Sequence, residues 1–187
     1  LLAEKNFLAG RVAPSLESYN QAIEADPEIG TYYYRRGVAQ LTFNCSTDAV
    51  QDLEIAMLHS HLQEETRPML MRALLETNNL TKASSLTGKY GKENSLVALL
   101  WRAMIALADK RIEDCFYELD LVEKDCSPDW FDTLAEVYFL RGSAWLVVEN
   151  ISEAYSNFSL CINNLHQESE PLVRRLNTVC IQLAGFH

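Results

Sequence analysis

The sequence is short of positive charge, of long apolar runs and of paired cysteines, and each shortage removes a class of function. Sixteen Lys and Arg stand against 26 Asp and Glu, for a formal charge of −10 and an isoelectric point near 4.8. A nucleic-acid partner requires clustered cations to neutralise phosphates. The one dense basic pair, Arg35 and Arg36, does not supply them. The net field favours basic or apolar partners instead. No run approaches the roughly 18 apolar residues of a membrane span; the longest candidate, around Trp145 to Val148, closes at Glu149.

Cys45, Cys115, Cys126, Cys161 and Cys180 form no C-x-x-C pair and stand at no metal-ligand spacing to the four histidines, so no zinc site is expected. They read as small buried hydrophobes of a reducing compartment, which favours the cytoplasm. The N-x-S/T triplets at Asn44, Asn79, Asn150 and Asn157 make the endoplasmic-reticulum lumen the alternative.

Catalytic signatures are missing as well. There is no Gly-x-Ser-x-Gly, no His-Glu-x-x-His, and no Cys or Ser placed near a His as nucleophile and base. Thr87-Gly88-Lys89 resembles the end of a phosphate loop, but the glycine five residues before Gly88 is absent and no strand precedes it. His59 and His61 sit near a helix end, in a loop or capping role. The acidic run Glu113-Asp114…Glu118…Asp120…Glu123…Asp125 falls at helical spacing and reads as a solvated outer face. No catalytic residue, cofactor or metal is expected.

What is present is a folded composition, 48% hydrophobic and 22% charged, with enough mass for one sizeable domain or one elongated array. The opening Leu1-Leu2-Ala3-Glu4 already reads as helix, which predicts a piece of a longer protein. The chain also repeats. Ala3, Gly10, Ser15, Tyr19 and Ala22, moved by 34 residues, land on Gly37, Asn44, Ala49, Leu53 and Ala56, each of matching size class. A further 34 from Ala49 reaches Ala83; Cys115 and Ala154 occupy the same context later. Tyr33, Arg36, Gly37, Ala39, Leu41, Ala49, Leu53 and Ala56 match Tyr138, Arg141, Gly142, Ala144, Leu146, Ala154, Phe158 and Cys161 at a constant offset of 105.

With this period, and with the segment from Ser15 to Pro27 ending in Asp26-Pro27, the chain resembles the tetratricopeptide repeat family over nearly its whole length. The expected fold is an all-α, right-handed superhelical solenoid of about five antiparallel hairpins. A single array over 1–187 would have units near 1–29, 30–62, 63–95, 96–127 and 128–168 and a C-terminal helix over 169–187, near Pro171 to Ala184. Gly37, Ala49 and Ala56 let helices approach, while Tyr19, Leu53 and Phe158 fill the gaps between hairpins. Pro27 stops a helix and disfavours helical geometry at Asp26. Ser127-Pro128-Asp129 is expected to start a long helix running to about Val148. Pro68, Gly88 and Gly91 predict a short or irregular helix in the third unit.

The resemblance implies a function too. In such arrays the first helix of each hairpin lines a concave groove that holds another protein. Its recurring positions fall here on Tyr34, Val38 and Leu41, then Arg72, then Leu100, Met104 and Leu107, then Phe139, Ser143 and Leu146. That mostly apolar trough suits an apolar or amphipathic helical segment of a partner protein or peptide; packing against a neighbouring segment of the same protein is the competing use. The subset that clamps the acidic tails of heat-shock chaperones is excluded, because Glu4 stands where it has Asn and Arg35 where the second unit's Asn would be. Leu8-Ala9-Gly10-Arg11, Ala22 to Pro27 and Tyr33 to Arg36 are similar to the repeats of the endoplasmic-reticulum J-domain co-chaperone that restrains an interferon-induced kinase. That family implies a client-holding role, although no His-Pro-Asp motif is present and the likeness fades after Ala56.

Overall fold

The computed structural model describes residues 2–90, 95–127, 130–165 and 172. These residues hold ten α-helices and no strand. They are α1 (Leu2–Leu8), α2 (Val12–Ala25), α3 (Gly30–Thr42), α4 (Ser46–Ala56), α5 (Gln63–Glu76), α6 (Leu80–Tyr90), α7 (Leu96–Ala108), α8 (Ile112–Asp125), α9 (Phe131–Val147) and α10 (Ile151–Asn163), with a 3-10 turn at Ser60–Leu62 before α5. The chain forms two compact units, Leu1–Leu86 and Thr87–His187, divided within α6. In the first, α1 pairs with α2 and α3 with α4, and α4 leads on to pack against α5. In the second, α7 pairs with α8 and α9 with α10, while α8 and α7 both touch α9.

One turn recurs five times. The second residue after each first helix is left-handed: Gly10 at φ 65°, Asn44 at 59°, Asn78 at 53°, Lys110 at 59° and Glu149 at 60°. Its N–H donates to the carbonyl three residues back, and the next N–H donates five residues back: Arg11 to Asn6, Cys45 to Gln40, Asn79 to Leu74, Arg111 to Ala106 and Asn150 to Trp145, all at 2.8 to 2.9 Å. This is the double bond of a Schellman cap, which satisfies the open carbonyls at a helix end. The backbone thus turns identically whether glycine is present or not. Helix α2 ends differently, as its sequence requires. Asp26 is extended at φ −150°, and its Oδ1 accepts from the Glu28 N–H at 3.3 Å ahead of the turn into α3.

Close packing explains the small residues. A Cβ on Gly37 would lie 2.8 Å from Leu53 Cγ, and one on Gly142 would lie 2.8 Å from Phe158 Cε1. The two glycines, 105 residues apart, therefore serve the same contact between first and second helix. Tyr19, Leu53 and Phe158 are buried, as are Ala49, Ala56, Ala154, Cys115 and Cys161. Gly30 has a separate reason: a Cβ there would strike the His59 ring at 2.2 Å, so His59 packs across the start of α3.

Arginines fasten hairpins in the same register. Arg36 forks onto Asp52 with two 2.7 Å bonds and reaches Asn20 Oδ1 at 2.7 Å. Its counterpart Arg141 binds Glu123 at 2.8 Å and Asp120 at 2.7 Å, and Arg102 binds Glu118 at 2.9 Å. Asp114 pairs with Arg111. Four of the six acidic positions of α8 are engaged, Asp114 by Arg111 just ahead of the helix and the other three by arginines of α7 and α9, while Glu113, Asp114, Asp120 and Asp125 are exposed, in keeping with a solvated face.

Two helix boundaries depart from expectation. Helix α6 runs unbroken through Gly88, where a Cβ would meet nothing within 4 Å. A lone glycine costs only about 1 kcal/mol, and burial of Ala83 and Leu86 offsets that. Gly91 lies outside the described residues. Helix α9 begins at Phe131 with Trp130 as its N-cap, the Trp130 N–H donating to the Ser127 carbonyl at 2.9 Å. Pro128 and Asp129 lie outside the described residues, as does the expected helix near Pro171 to Ala184 apart from Leu172, which is helical and buried.

Candidate functional site

A groove of about 570 Å³ lies between the first helices of the first two hairpins, lined by Glu4, Lys5, Phe7 and Leu8 of α1 and by Tyr34, Arg35 and Val38 of α3, with Tyr19 of α2 at its base. Glu4 and Arg35 pair across it, and Phe7 stands edge-on to Phe43 with ring centroids 5.9 Å apart. The lining thus combines one ion pair and the exposed Lys5 with the apolar side chains of Phe7, Leu8 and Val38. Leu8 is 84% exposed at the rim, a large apolar side chain that nothing in its own hairpin covers. Burial raises the Tyr34 phenol above its usual pKa, Glu65 of α5 adding to the effect and Arg35 opposing it. Burial likewise raises Tyr19, with Arg35 again opposing. Both therefore stay neutral donors at physiological pH.

Of the positions expected to line a trough, Tyr34 and Val38 are in this groove. Leu41 is not available: it is 1% exposed, on the same face of α3 as Gly37, four residues earlier, which is pressed against α4. Arg72 is exposed on α5 and binds Glu76 at 2.7 Å. In the second unit, Leu100, Met104, Leu107 and Leu146 are half-buried against the core where α7 meets α9. Ser143 donates to the Phe139 carbonyl at 2.8 Å. Phe139 is 6% exposed, with its ring 5.9 Å from that of Phe158. It belongs to the α9/α10 core rather than to a ligand surface, for the same reason as Leu41.

No family model matches the sequence, and no curated protein matches it. Solved structures do. MamA aligns with a TM-score of 0.63 at 14% identity, covering 88% of this chain and 94% of its own. A tetratricopeptide repeat protein from Parabacteroides merdae aligns at 0.66 and 17% identity, covering 94% of this chain and 67% of its own. YrrB, described as a tetratricopeptide repeat protein with an unusual peptide-binding site, aligns at 0.57 and 17% identity, covering 94% and 88%. The fold is the tetratricopeptide repeat fold.

Read as a tetratricopeptide array, the groove holds residues that the transferred register left out: Lys5, Phe7 and Leu8. The signal for two of them was available, since the 34-residue offset that carries Ala3 to Gly37 carries Phe7 to Leu41 and Leu8 to Thr42. Both repeats place these residues on the last turn of the first helix. Leu8 and its counterpart Thr42 are both exposed.

Elsewhere the chain offers little chemistry. Thr87, Gly88 and Lys89 lie within α6, so they form no phosphate loop. The His59 and His61 rings stand 6.1 Å apart, edge to face. Among the described residues no group of three His, Cys, Asp or Glu is placed to hold a metal ion, and no helix is long and apolar enough to cross a membrane.

Proposed function

We propose that the chain is a protein–protein interaction scaffold without catalysis, and that the groove between α1 and α3 receives an apolar or amphipathic helical segment of a partner. The observation carrying this reading is the combination of exposed Leu8 with Phe7, Tyr34 and Val38 around a groove in which Glu4 and Arg35 pair with each other. A partner gains there by burying apolar surface, at about 25 cal/mol per Å², through the helix-in-groove mode. Glu4 and Arg35 occupy each other, which disfavours a carboxylate-bearing chaperone tail. YrrB, with the same fold, is described as having a peptide-binding site, which agrees with this use. In the second unit, taken by itself, Leu100, Met104, Leu107, Ser143 and Leu146 are proposed as a further partner-binding lining, and Arg72 as a contact on α5 of the first.

The test is affinity capture from the native extract with the chain as bait, compared with Leu8→Glu and Val38→Glu baits of equal helicity. A short stoichiometric partner list that disappears with both variants is expected. An unchanged list sinks the groove assignment.

A second reading has one observation in its favour. Leu8, Tyr34 and Arg35, which line the groove, lie within the runs similar to the lumenal co-chaperone repeats. That reading makes the groove a holder of unfolded apolar segments, and it predicts weak, sequence-tolerant binding of reduced unfolded chains in place of one folded partner.

A further inference from the structure

We propose that Asn44, Asn79 and Asn150 are acceptors of N-linked glycans and that Asn157 is not. All four begin an Asn-x-Ser/Thr triplet: Asn44-Cys45-Ser46, Asn79-Leu80-Thr81, Asn150-Ile151-Ser152 and Asn157-Phe158-Ser159. The fold separates them. The first three lie in the recurrent turn between first and second helix, at the tips of the second, third and fifth hairpins. The fourth lies inside α10.

The atoms divide the same way. A glycan is attached at Nδ2, so an acceptor must have that nitrogen free and facing solvent. Asn44 is exposed, and among the described residues nothing bonds its side chain. Asn79 and Asn150 are half-buried and cap α6 and α10 with the other amide atom: Asn79 Oδ1 accepts from the Lys82 N–H at 3.4 Å, and Asn150 Oδ1 from the Glu153 N–H at 3.2 Å. Glycosylation converts the primary amide to a secondary amide and leaves its oxygen in place, so both caps survive the modification. Asn157 fails both conditions. It is 6% exposed, and its Nδ2 donates to the Glu153 carbonyl at 2.8 Å. A sugar there would break a hydrogen bond and have to enter the α9/α10 packing.

The reaction is the transfer of an oligosaccharide from a polyprenyl-diphosphate carrier. Nδ2 forms a bond to the anomeric carbon and loses one proton, the bond from that carbon to the diphosphate oxygen breaks, and the lipid diphosphate leaves. The compartment is then a secretory lumen, the alternative to the cytoplasm. The inference is independent of which partner the groove takes.

The experiment takes the protein from its native cells, treats it with peptide-N-glycosidase in heavy-oxygen water, and maps labelled aspartate by mass spectrometry. Label at one or more of positions 44, 79 and 150, with none at 157, is the expected result. Unmodified asparagine at all three, or label at 157, overturns the proposal. A second measurement avoids disturbing the caps: Ser46→Ala, Thr81→Ala and Ser152→Ala each destroy a triplet while keeping its asparagine. Each occupied site should raise gel mobility by one glycan, and Ser159→Ala should change nothing. No shift in any of the three is the contrary outcome.

Discussion

The sign of one dihedral angle decides what a substitution does at Glu149. A non-glycine residue held left-handed costs roughly 1–2 kcal/mol, and glycine loses roughly 0.5–1 kcal/mol of extra chain freedom on folding. Glu149→Gly and Lys110→Gly should therefore stabilise by roughly 0.5 kcal/mol each, read as a higher urea midpoint at unchanged slope. Gly142→Ala has the opposite expectation. Its Cβ would sit 2.8 Å from the Phe158 ring, and overpacking of that kind costs about 1–3 kcal/mol. A variant as stable as the parent would contradict the contact. Cys115 gives a pH signature. Burial pushes its thiol up to about 11 from an ordinary 9, so between those values the unfolded chain has released a proton that the folded chain keeps. Stability should then fall as pH rises through that window, by at most about 1.4 kcal/mol per pH unit. Cys115→Ala should flatten that part of the curve in chemical denaturation run at pH 9 to 11.

Among elements, the joints matter more than the helices they join. Arg36 meets a carboxylate with only 5% of its side chain exposed and is itself 20% exposed, so removing one partner leaves a nearly buried charge unpaired. Arg36→Leu should cost about 3 kcal/mol, near the lower end of the range for breaking a buried pair, whereas exposed Arg111→Leu should cost under about 1 kcal/mol. Paired thermal melts compare the two. Elements are also where the sequence was most legible. Pro27 and the small-residue spacing locate the turns and close contacts, because sterics leave few residues able to stand there. The groove was less legible. Leu41 and Phe139 carry the residue types of a ligand surface, yet a rotation of under half a helix turn moves them onto their own hairpin, and spacing alone does not resolve that difference. The arginine forks were legible only in hindsight: Arg36 and Arg141 match at offset 105, but their partners Asp52, Asp120 and Glu123 do not share one register.

For the whole molecule, the net charge of −10 means that self-repulsion opposes compaction. Moderate salt, with a Debye length of about 8 Å at physiological strength, should raise the melting temperature until the surface ion pairs are screened in turn. The five turns reach further still. Each is closed by bonds spanning three and five residues, so the first contacts to form in every hairpin are among the nearest in sequence. Folding is therefore expected to start at any of several tips and spread outward, with the rapid kinetics of low-contact-order chains. Glu149→Gly would then show its gain chiefly in the folding limb of the chevron, since the turn is already made when the barrier is crossed.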